Sequence, residues 1–283
     1  LECDEQCNFY QLSPQITLDN LIEPITYNNL TLESSLTNLE ETPDQPFSFV
    51  VLGHTYPDPE LKENQPKPGE PERYNAKQLA QRLSPLINDN SSFLVFIGNM
   101  VKKYEDGRYA ILDRYFTTRF LKPMINVSET SDPKRNMPGF EKYILGNNYF
   151  INFRGADKHI LTKAEKLAFY NSFYELEFSD KDYIFIFSYE NLRYNTDFMD
   201  LVMPKLNQLT DKSIYIVAGN GGEPQKYDSD ISHILEERKT YSVDDYGNVF
   251  FVETGFSEDL TANAIKFEIG SDGGLKLTPF NLE

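Results

Sequence analysis

Residues 47–53 read FSFVVLG, a short run of apolar side chains that a glycine closes. This composition is typical of a strand buried on both faces, because neither face then needs polar side chains. A second run of the same kind, SFLVFIGN, occupies 92–99, and the segment YNAKQLAQRLSPLI before it has apolar residues at helical spacing. The order strand, helix, strand begins an α/β alternation.

The same alternation continues through the middle of the chain. We predict helices in YAILDRYFTTRFLKPM and in TKAEKLAFYNSFYELEF (162–178), the second with its apolar residues on one side. Further strands are predicted in MINVSETSD (124–132), YFINFRG (149–155), DYIFIFSYEN (182–191) and SIYIVAGNGG (213–222). In the tail, NVFFVETGF and AIKFEIGSDGGLKLTPF alternate like antiparallel strands around a Gly-Gly turn. The sequence therefore predicts a layered α/β domain with a mixed sheet.

Composition sets the domain organisation. The 283 residues are 40% hydrophobic and 14% aromatic, which is ample for one full core. We expect this domain to span 47–283, after an acidic N-terminal extension at 1–46 and with an exposed proline-rich loop at 57–72. No stretch approaches the roughly 20 apolar residues that a membrane-spanning helix needs, so no integral membrane segment is expected.

Charge and cysteines bear on partners and location. The net charge of −17 argues against nucleic acids and anionic membrane surfaces as partners, and solubility is its simplest explanation. Cys3 and Cys7 favour a small disulfide loop over an incomplete metal knuckle, because two thiols are too few for a structural zinc. The chain starts at Leu1, which leaves a removed leader or a trimmed chain open. We expect an exported protein, periplasmic or extracellular.

Five loops follow the predicted strands, and they begin GHTY (53–56), GN (98–99), ETSD (129–132), SYEN (188–191) and GNGG (219–222). Their order and surroundings resemble the calcineurin-like metallophosphoesterase family over residues 47 to 283. FVVLGHTY is similar to the family's FVVLGDTH, FLVFIGNMV to its strand ending in Gly-Asp, IFIFSYENL to its strand ending in Ser-His, and IVAGNGGEP to its Ala-Gly-His-x-His turn. The resemblance implies a four-layer α/β/β/α sandwich with mixed sheets.

The resemblance also implies where two metal ions would bind in an active member. The matching positions are His54 and Tyr56 in the first loop, Asn99 in the second, Thr130, Ser131 and Asp132 in the third, Tyr189 in the fourth, and Asn220 and Gly222 in the fifth. Asn99 stands where the family has the aspartate that bridges both metals, and Asp132 alone keeps the family's residue type. We therefore expect no catalytic residues, no metal and no cofactor.

Two functions follow from these substitutions. The first is a pseudoenzyme that binds a protein or small-molecule ligand through the remodelled face, in which Tyr56 and Tyr189 fill the former metal cavity. The alternative is a residual or repurposed metal-dependent phosphoesterase that uses His54 and Asp132. A single histidine in a polar pocket is more often a hydrogen-bonding residue than a metal ligand, which favours the first function.

A serine-hydrolase interpretation is disfavoured. Gly53-His54-Thr55 and Gly98-Asn99 faintly resemble the SGNH type of esterase, whose chemistry needs a serine nucleophile and a histidine base. Thr55 would have to replace that serine, and neither His159 nor His233 lies in an Asp-x-x-His context. A weak motif without a base does not define a site.

Overall fold

The computed structural model of the chain describes residues 46–53, 76–87, 91–98, 116, 119–122, 124–127, 140–153, 161–189, 191–219, 242–255 and 263–282. The predicted extension at 1–46, Pro46 apart, and the proline-rich loop at 57–72 lie outside these residues. No helix in this part of the chain is both long enough and apolar enough to cross a bilayer.

Eleven strands and three α-helices are found within these ranges. The strands are β1 (Phe47–Leu52), β2 (Ser91–Ile97), β3 (Met124–Val127), β4 (Phe140–Leu145), β5 (Asn148–Phe153), β6 (Tyr183–Ser188), β7 (Ser213–Gly219), β8 (Ser242–Tyr246), β9 (Val249–Thr254), β10 (Asn263–Ile269) and β11 (Leu275–Asn281). The helices are α1 (Ala76–Leu83), α2 (Lys163–Glu177) and α3 (Met203–Leu206). A 3-10 turn (Leu192–Tyr194) and a π-helical segment (Phe198–Val202) precede α3.

The strands form two mixed sheets. The first has the order β11-β10-β1-β2-β3 and the second β4-β5-β6-β7-β9-β8. Strands β1, β2 and β3 are parallel in the first sheet, and β5, β6, β7 and β9 are parallel in the second. Antiparallel strands flank both parallel blocks. The prediction of an α/β fold with mixed sheets is confirmed.

Phe49 of β1 lies at the centre of the layer between the sheets. Its ring stacks between Phe93 and Phe267 of its own sheet, at centroid distances of 4.9 and 4.8 Å. The edges of Phe185 and Phe150 meet it from the second sheet at 5.1 and 5.7 Å. The run FSFVVL thus forms a strand because its alternate side chains fill two separate cores, one between the sheets and one beneath α1.

Helices cover the outer faces and complete the four layers. Leu79 and Leu83 of α1 pack on the first sheet, while Phe169 and Phe173 of α2 pack on the second. Helix α2 begins at a capping box in which Thr162 accepts from the Glu165 amide and the Glu165 carboxylate accepts from the Thr162 amide. The four-layer α/β/β/α sandwich that the resemblance implied is confirmed.

Three details of the sequence prediction need correction. The apolar residues of α2 occupy both faces of the helix, not one side, because Leu167 and Tyr174 are exposed opposite the buried Phe169. The segment NVFFVETGF, which contains β9, pairs parallel with β7 and antiparallel only with β8. Strands β4 and β8 were not predicted. Their sequences, FEKYIL and SVDDY, each carry two adjacent charged residues, which edge strands tolerate, and both strands lie at the edges of the second sheet. Of the helix predicted in YAILDRYFTTRFLKPM, the described residues 116 and 119–120 are helical.

Candidate functional site at the carboxyl edge

The carboxyl ends of the parallel strands lie level with one another in each sheet. In the second sheet Phe153, Ser188, Ala218 and Glu253 form one row across β5, β6, β7 and β9. In the first sheet the amide of Gly98, after β2, donates to the carbonyl of Val127 at the end of β3, at 2.7 Å. Loops leaving these strands therefore start from a common edge, here called the carboxyl edge.

Gly53 brings the carboxyl ends of the two sheets into contact. A Cβ at this position would lie 2.2 Å from the carbonyl oxygen of Thr254 and 2.4 Å from Cα of Gly255. Those atoms belong to the backbone at the end of β9, so the end of β1 packs directly on the second sheet. Only glycine fits this close approach. The loops after β1 and β9 therefore leave from one place, although their sheets differ.

Tyr189 is the predicted site residue that the structure describes. It follows β6 directly, and its amide donates to the carbonyl of Phe153 at 3.4 Å. Its half-buried side chain packs against the cluster between the sheets. That Tyr189 fills the former metal cavity stays a prediction, since the loops that would line such a cavity lie outside the described residues.

The other eight predicted site residues lie outside the described residues: His54, Tyr56, Asn99, Thr130, Ser131, Asp132, Asn220 and Gly222. Each belongs to a loop whose preceding strand is described. Gly53, Gly98, Val127 and Gly219 mark the points where those loops begin, and all four lie on the carboxyl edge. The structure thus brings together the starting points of the five predicted loops.

A polar group below Tyr189 was missed by the sequence reasoning. Asn152 of β5 is fully buried and lies beside Phe187, two residues before Tyr189 on the same face. Its amide nitrogen donates to Oε2 of Glu141 at 3.1 Å, and the Tyr143 hydroxyl donates to the same carboxylate oxygen. The available signal was an asparagine within the apolar strand NYFINF. The side-chain carbonyl oxygen of Asn152 is a buried acceptor that has no hydrogen-bond partner among the described residues.

Ser188 is a second buried polar residue at the carboxyl edge. Its hydroxyl oxygen is buried on the other face of the second sheet and has no hydrogen-bond partner among the described residues.

The pKa shifts found in the described parts of the chain arise away from the carboxyl edge, as at Glu175, whose pKa is lowered mainly by a hydrogen bond from Lys142. Within the described ranges, no group of three or more His, Cys, Asp or Glu side chains is arranged so that it could hold a metal ion.

Comparison with known proteins relates the chain to others through structure. No family model matches the sequence, and no curated protein matches it. A dimetal phosphatase from Danio rerio superposes with a TM-score of 0.54 and 9% sequence identity, over 84% of this chain and 96% of that one. The chain has the calcineurin-like metallophosphoesterase fold.

Two further solved structures with this fold are less similar. A purple acid phosphatase from yellow lupin (Lupinus luteus) seeds gives a TM-score of 0.46 at 11% identity, over 84% of this chain and 52% of the lupin chain. The chain thus spans about half the length of the lupin protein. A conserved predicted phosphoesterase of Streptococcus pneumoniae TIGR4 gives 0.36 at 9% identity, over 83% and 98% of the two chains. Likeness at these identities concerns the metallophosphoesterase fold alone.

Tyr189, the described residue among the expected metal ligands, does not suit the pair of metal ions that the metallophosphoesterase fold implies. Two adjacent divalent ions repel each other, and carboxylate ligands offset that repulsion. Tyr189 offers a phenol in place of such a ligand, and its half-buried ring packs against the core between the sheets.

Proposed function

We propose that this chain is a catalytically inactive metallophosphoesterase-like protein that binds a protein or small-molecule ligand through its remodelled carboxyl edge. The observation that carries the proposal is the set of side chains after the parallel strands, with Tyr189 as its described member. By the resemblance, groups other than the family's anionic and imidazole ligands stand at these positions, with Asp132 as the exception. The two sheets whose strands would present such ligands are both formed within the described residues.

The chemistry of these side chains favours binding over hydrolysis. Without a bridging carboxylate there is no clamp for two metals, and so no activated hydroxide and no Lewis acid for phosphoryl oxygens. Tyrosine and asparagine are instead good recognition groups, since they combine apolar contact with donors and acceptors. The buried acceptor of Asn152 adds a polar group behind Tyr189. An edge of this kind would orient a ligand through hydrogen bonds.

A metal analysis tests the loss of the metal centre. The purified full chain is dialysed against manganese, zinc or iron, and bound metal is measured by mass spectrometry. We expect less than one equivalent, and we expect manganese and inorganic phosphate to leave the melting temperature unchanged, because a ligand stabilises only a state that it binds. Two equivalents of any of these metals would refute the proposal.

An activity assay distinguishes the alternative, a residual or repurposed metal-dependent phosphoesterase. The sequence feature that favours it is the presence of His54 and Asp132 in loops that begin at the same edge. Hydrolysis of p-nitrophenyl phosphate and its diesters is measured with added manganese for the wild type, His54→Ala and the matched control His233→Ala. Turnover that His54→Ala abolishes and His233→Ala preserves would establish the alternative. Background turnover in all three supports the inactive protein.

We propose in addition that the ligand is neither a nucleic acid nor a membrane surface, and that the chain is exported. A net charge of −17 supports the first point, since phosphate backbones and anionic lipids would be repelled. The pair Cys3 and Cys7 supports the second, because disulfides persist in oxidising compartments. Mass spectrometry of the unreduced protein tests the pairing: alkylation of both thiols without prior reduction would contradict it.

A further inference from the structure

Helix α2 carries a line of large apolar side chains on its solvent face. Leu167, Tyr170, Tyr174 and Phe178 are 58, 40, 69 and 73% exposed. Their spacings of three, four and four residues place them on one side of a helix, directly opposite the buried Phe169, Phe173 and Leu176. We call these four exposed residues the aromatic stripe.

The aromatic stripe is large for a solvent-exposed surface. If each side chain has roughly 150–250 Å² of surface, the exposed fractions of the four residues add up to an area on the order of 450 Å². Isolated apolar residues are common on protein surfaces, whereas a contiguous patch of this size often marks an interaction site. The rings of Tyr174 and Phe178 contact each other edge to face at 5.3 Å, so the patch is continuous at its carboxyl end.

We propose that the aromatic stripe is the centre of an interface between two copies of this chain, related by a two-fold axis. A two-fold interface places residue i against residue j and residue j against residue i. Leu167 and Phe178 are centred on position 172.5 and Tyr170 and Tyr174 on position 172, so the two pairs share a midpoint to within half a residue. When two α2 helices pack antiparallel, Leu167 meets Phe178 of the second copy and Tyr170 meets its Tyr174.

Charges at the ends of the stripe fit the same antiparallel arrangement. Lys163 lies one helical turn before Leu167, at the start of α2. At the other end, Glu177 is the last helical residue. Just beyond it the Asp180 carboxylate is 89% exposed and lies 3.7 Å from Nζ of Lys181, whose side chain is only 20% exposed. An antiparallel pair therefore places the basic end of each helix beside the acidic end of the other, whereas a parallel pair would place like charges together.

The area agrees with a weak to moderate dimer. The stripe alone contributes about 900 Å² from two copies, close to the roughly 1,000 Å² of a specific interface. The net charge of −17 on each copy opposes association. Salt at about 0.15 M shortens the range of that repulsion to about 8 Å, which leaves the local contacts to decide the outcome.

Sedimentation equilibrium of the full chain at about 0.15 M salt tests the proposal, at protein concentrations up to about 200 µM. We expect a monomer–dimer equilibrium in the wild type. Tyr174→Glu, at the centre of the stripe, is expected to raise the dissociation constant at least about thirty-fold. The matched control is Leu121→Glu, which places the same charge at an apolar residue that is 66% exposed on the first-sheet side, and it is expected to leave the dimer unchanged.

A charge exchange tests the antiparallel register. Lys163→Glu and Asp180→Lys are each expected to weaken the dimer, and the double variant is expected to restore it. A wild type that stays monomeric throughout overturns the proposal and leaves the stripe to another occupant, such as residues 1–45 or a different protein. A dimer that Tyr174→Glu does not weaken overturns it as well, and a double variant weaker than both single variants refutes the register.

Discussion

Replacing Gly53 by alanine tests the contact that joins the two sheets at the carboxyl edge. The added Cβ would lie 2.2 Å from the Thr254 carbonyl oxygen, whereas real Cβ atoms keep at least 3.0 Å. The backbone at the end of β1 or β9 must therefore shift by at least about 0.8 Å. Both neighbours are backbone atoms, one in β9 and one directly after it, so neither moves freely. Overpacking of this kind costs about 1–3 kcal/mol, and we expect the upper end, about 3 kcal/mol.

Urea unfolding followed by circular dichroism measures this loss. With a slope of about 2–3 kcal/mol per molar urea, the midpoint of Gly53→Ala is expected to fall by about 1 M. Gly146→Ala serves as control, because no atom lies within 4 Å of its added Cβ and only the left-handed φ of +53° disfavours alanine. That control is expected to lose about 1 kcal/mol. If Gly53→Ala loses no more than Gly146→Ala, the direct packing of β1 on the end of β9 is refuted.

Two further predictions concern the core and the response to acid. Phe49→Ala is expected to lower the free energy of unfolding by about 3–5 kcal/mol, because the ring fills the centre of the inter-sheet layer. Phe47→Ala, at the half-buried start of β1, is expected to lower the free energy of unfolding clearly less in the same urea experiment. Lys142 and Lys166 lower the pKa of Glu175 and of Asp197 respectively. A carboxyl group with a depressed folded-state pKa stabilises the fold above its unfolded value near 4, and this stabilisation is lost as the pH falls through the folded value. Stability should therefore fall below about pH 5, less steeply in Lys142→Met; an equal slope in that variant would contradict the role of the Lys142–Glu175 pair.

The sequence predicted the buried parallel strands well because their physics is local. A run such as FSFVVL or YIFIFS is apolar at nearly every position, as expected of a short strand covered on both faces. The edge strands were missed for the opposite reason. In FEKYIL, Glu141 and Tyr143 face the inter-sheet side while Lys142 faces α2 and forms an ion pair with Glu175, so neither face of the strand reads as apolar.

The candidate site could be predicted as a set of loops but not as a surface. Which loop starts beside which depends on the meeting of Gly53 with Gly255, residues that are about two hundred positions apart in the chain. No local pattern encodes a contact of that kind. The aromatic stripe escaped prediction similarly, because the helical period of α2 does not tell a buried Phe173 from an exposed Tyr174 when apolar residues occupy both faces.

The fold and the proposed loss of metal chemistry are compatible because they depend on different atoms. The sandwich is held by the inter-sheet core around Phe49 and by the outer cores under α1 and α2, all of which lie below the carboxyl edge. In an active dimetal site, clustered carboxylates repel one another unless cations offset their charge. Asparagine, tyrosine and glycine at the corresponding positions carry no charge and need no cation. On the proposed function, uncharged side chains at these positions need no metal to offset their charge, and the cores that hold the sandwich do not depend on one. A chain without the chemistry can therefore keep the scaffold for binding.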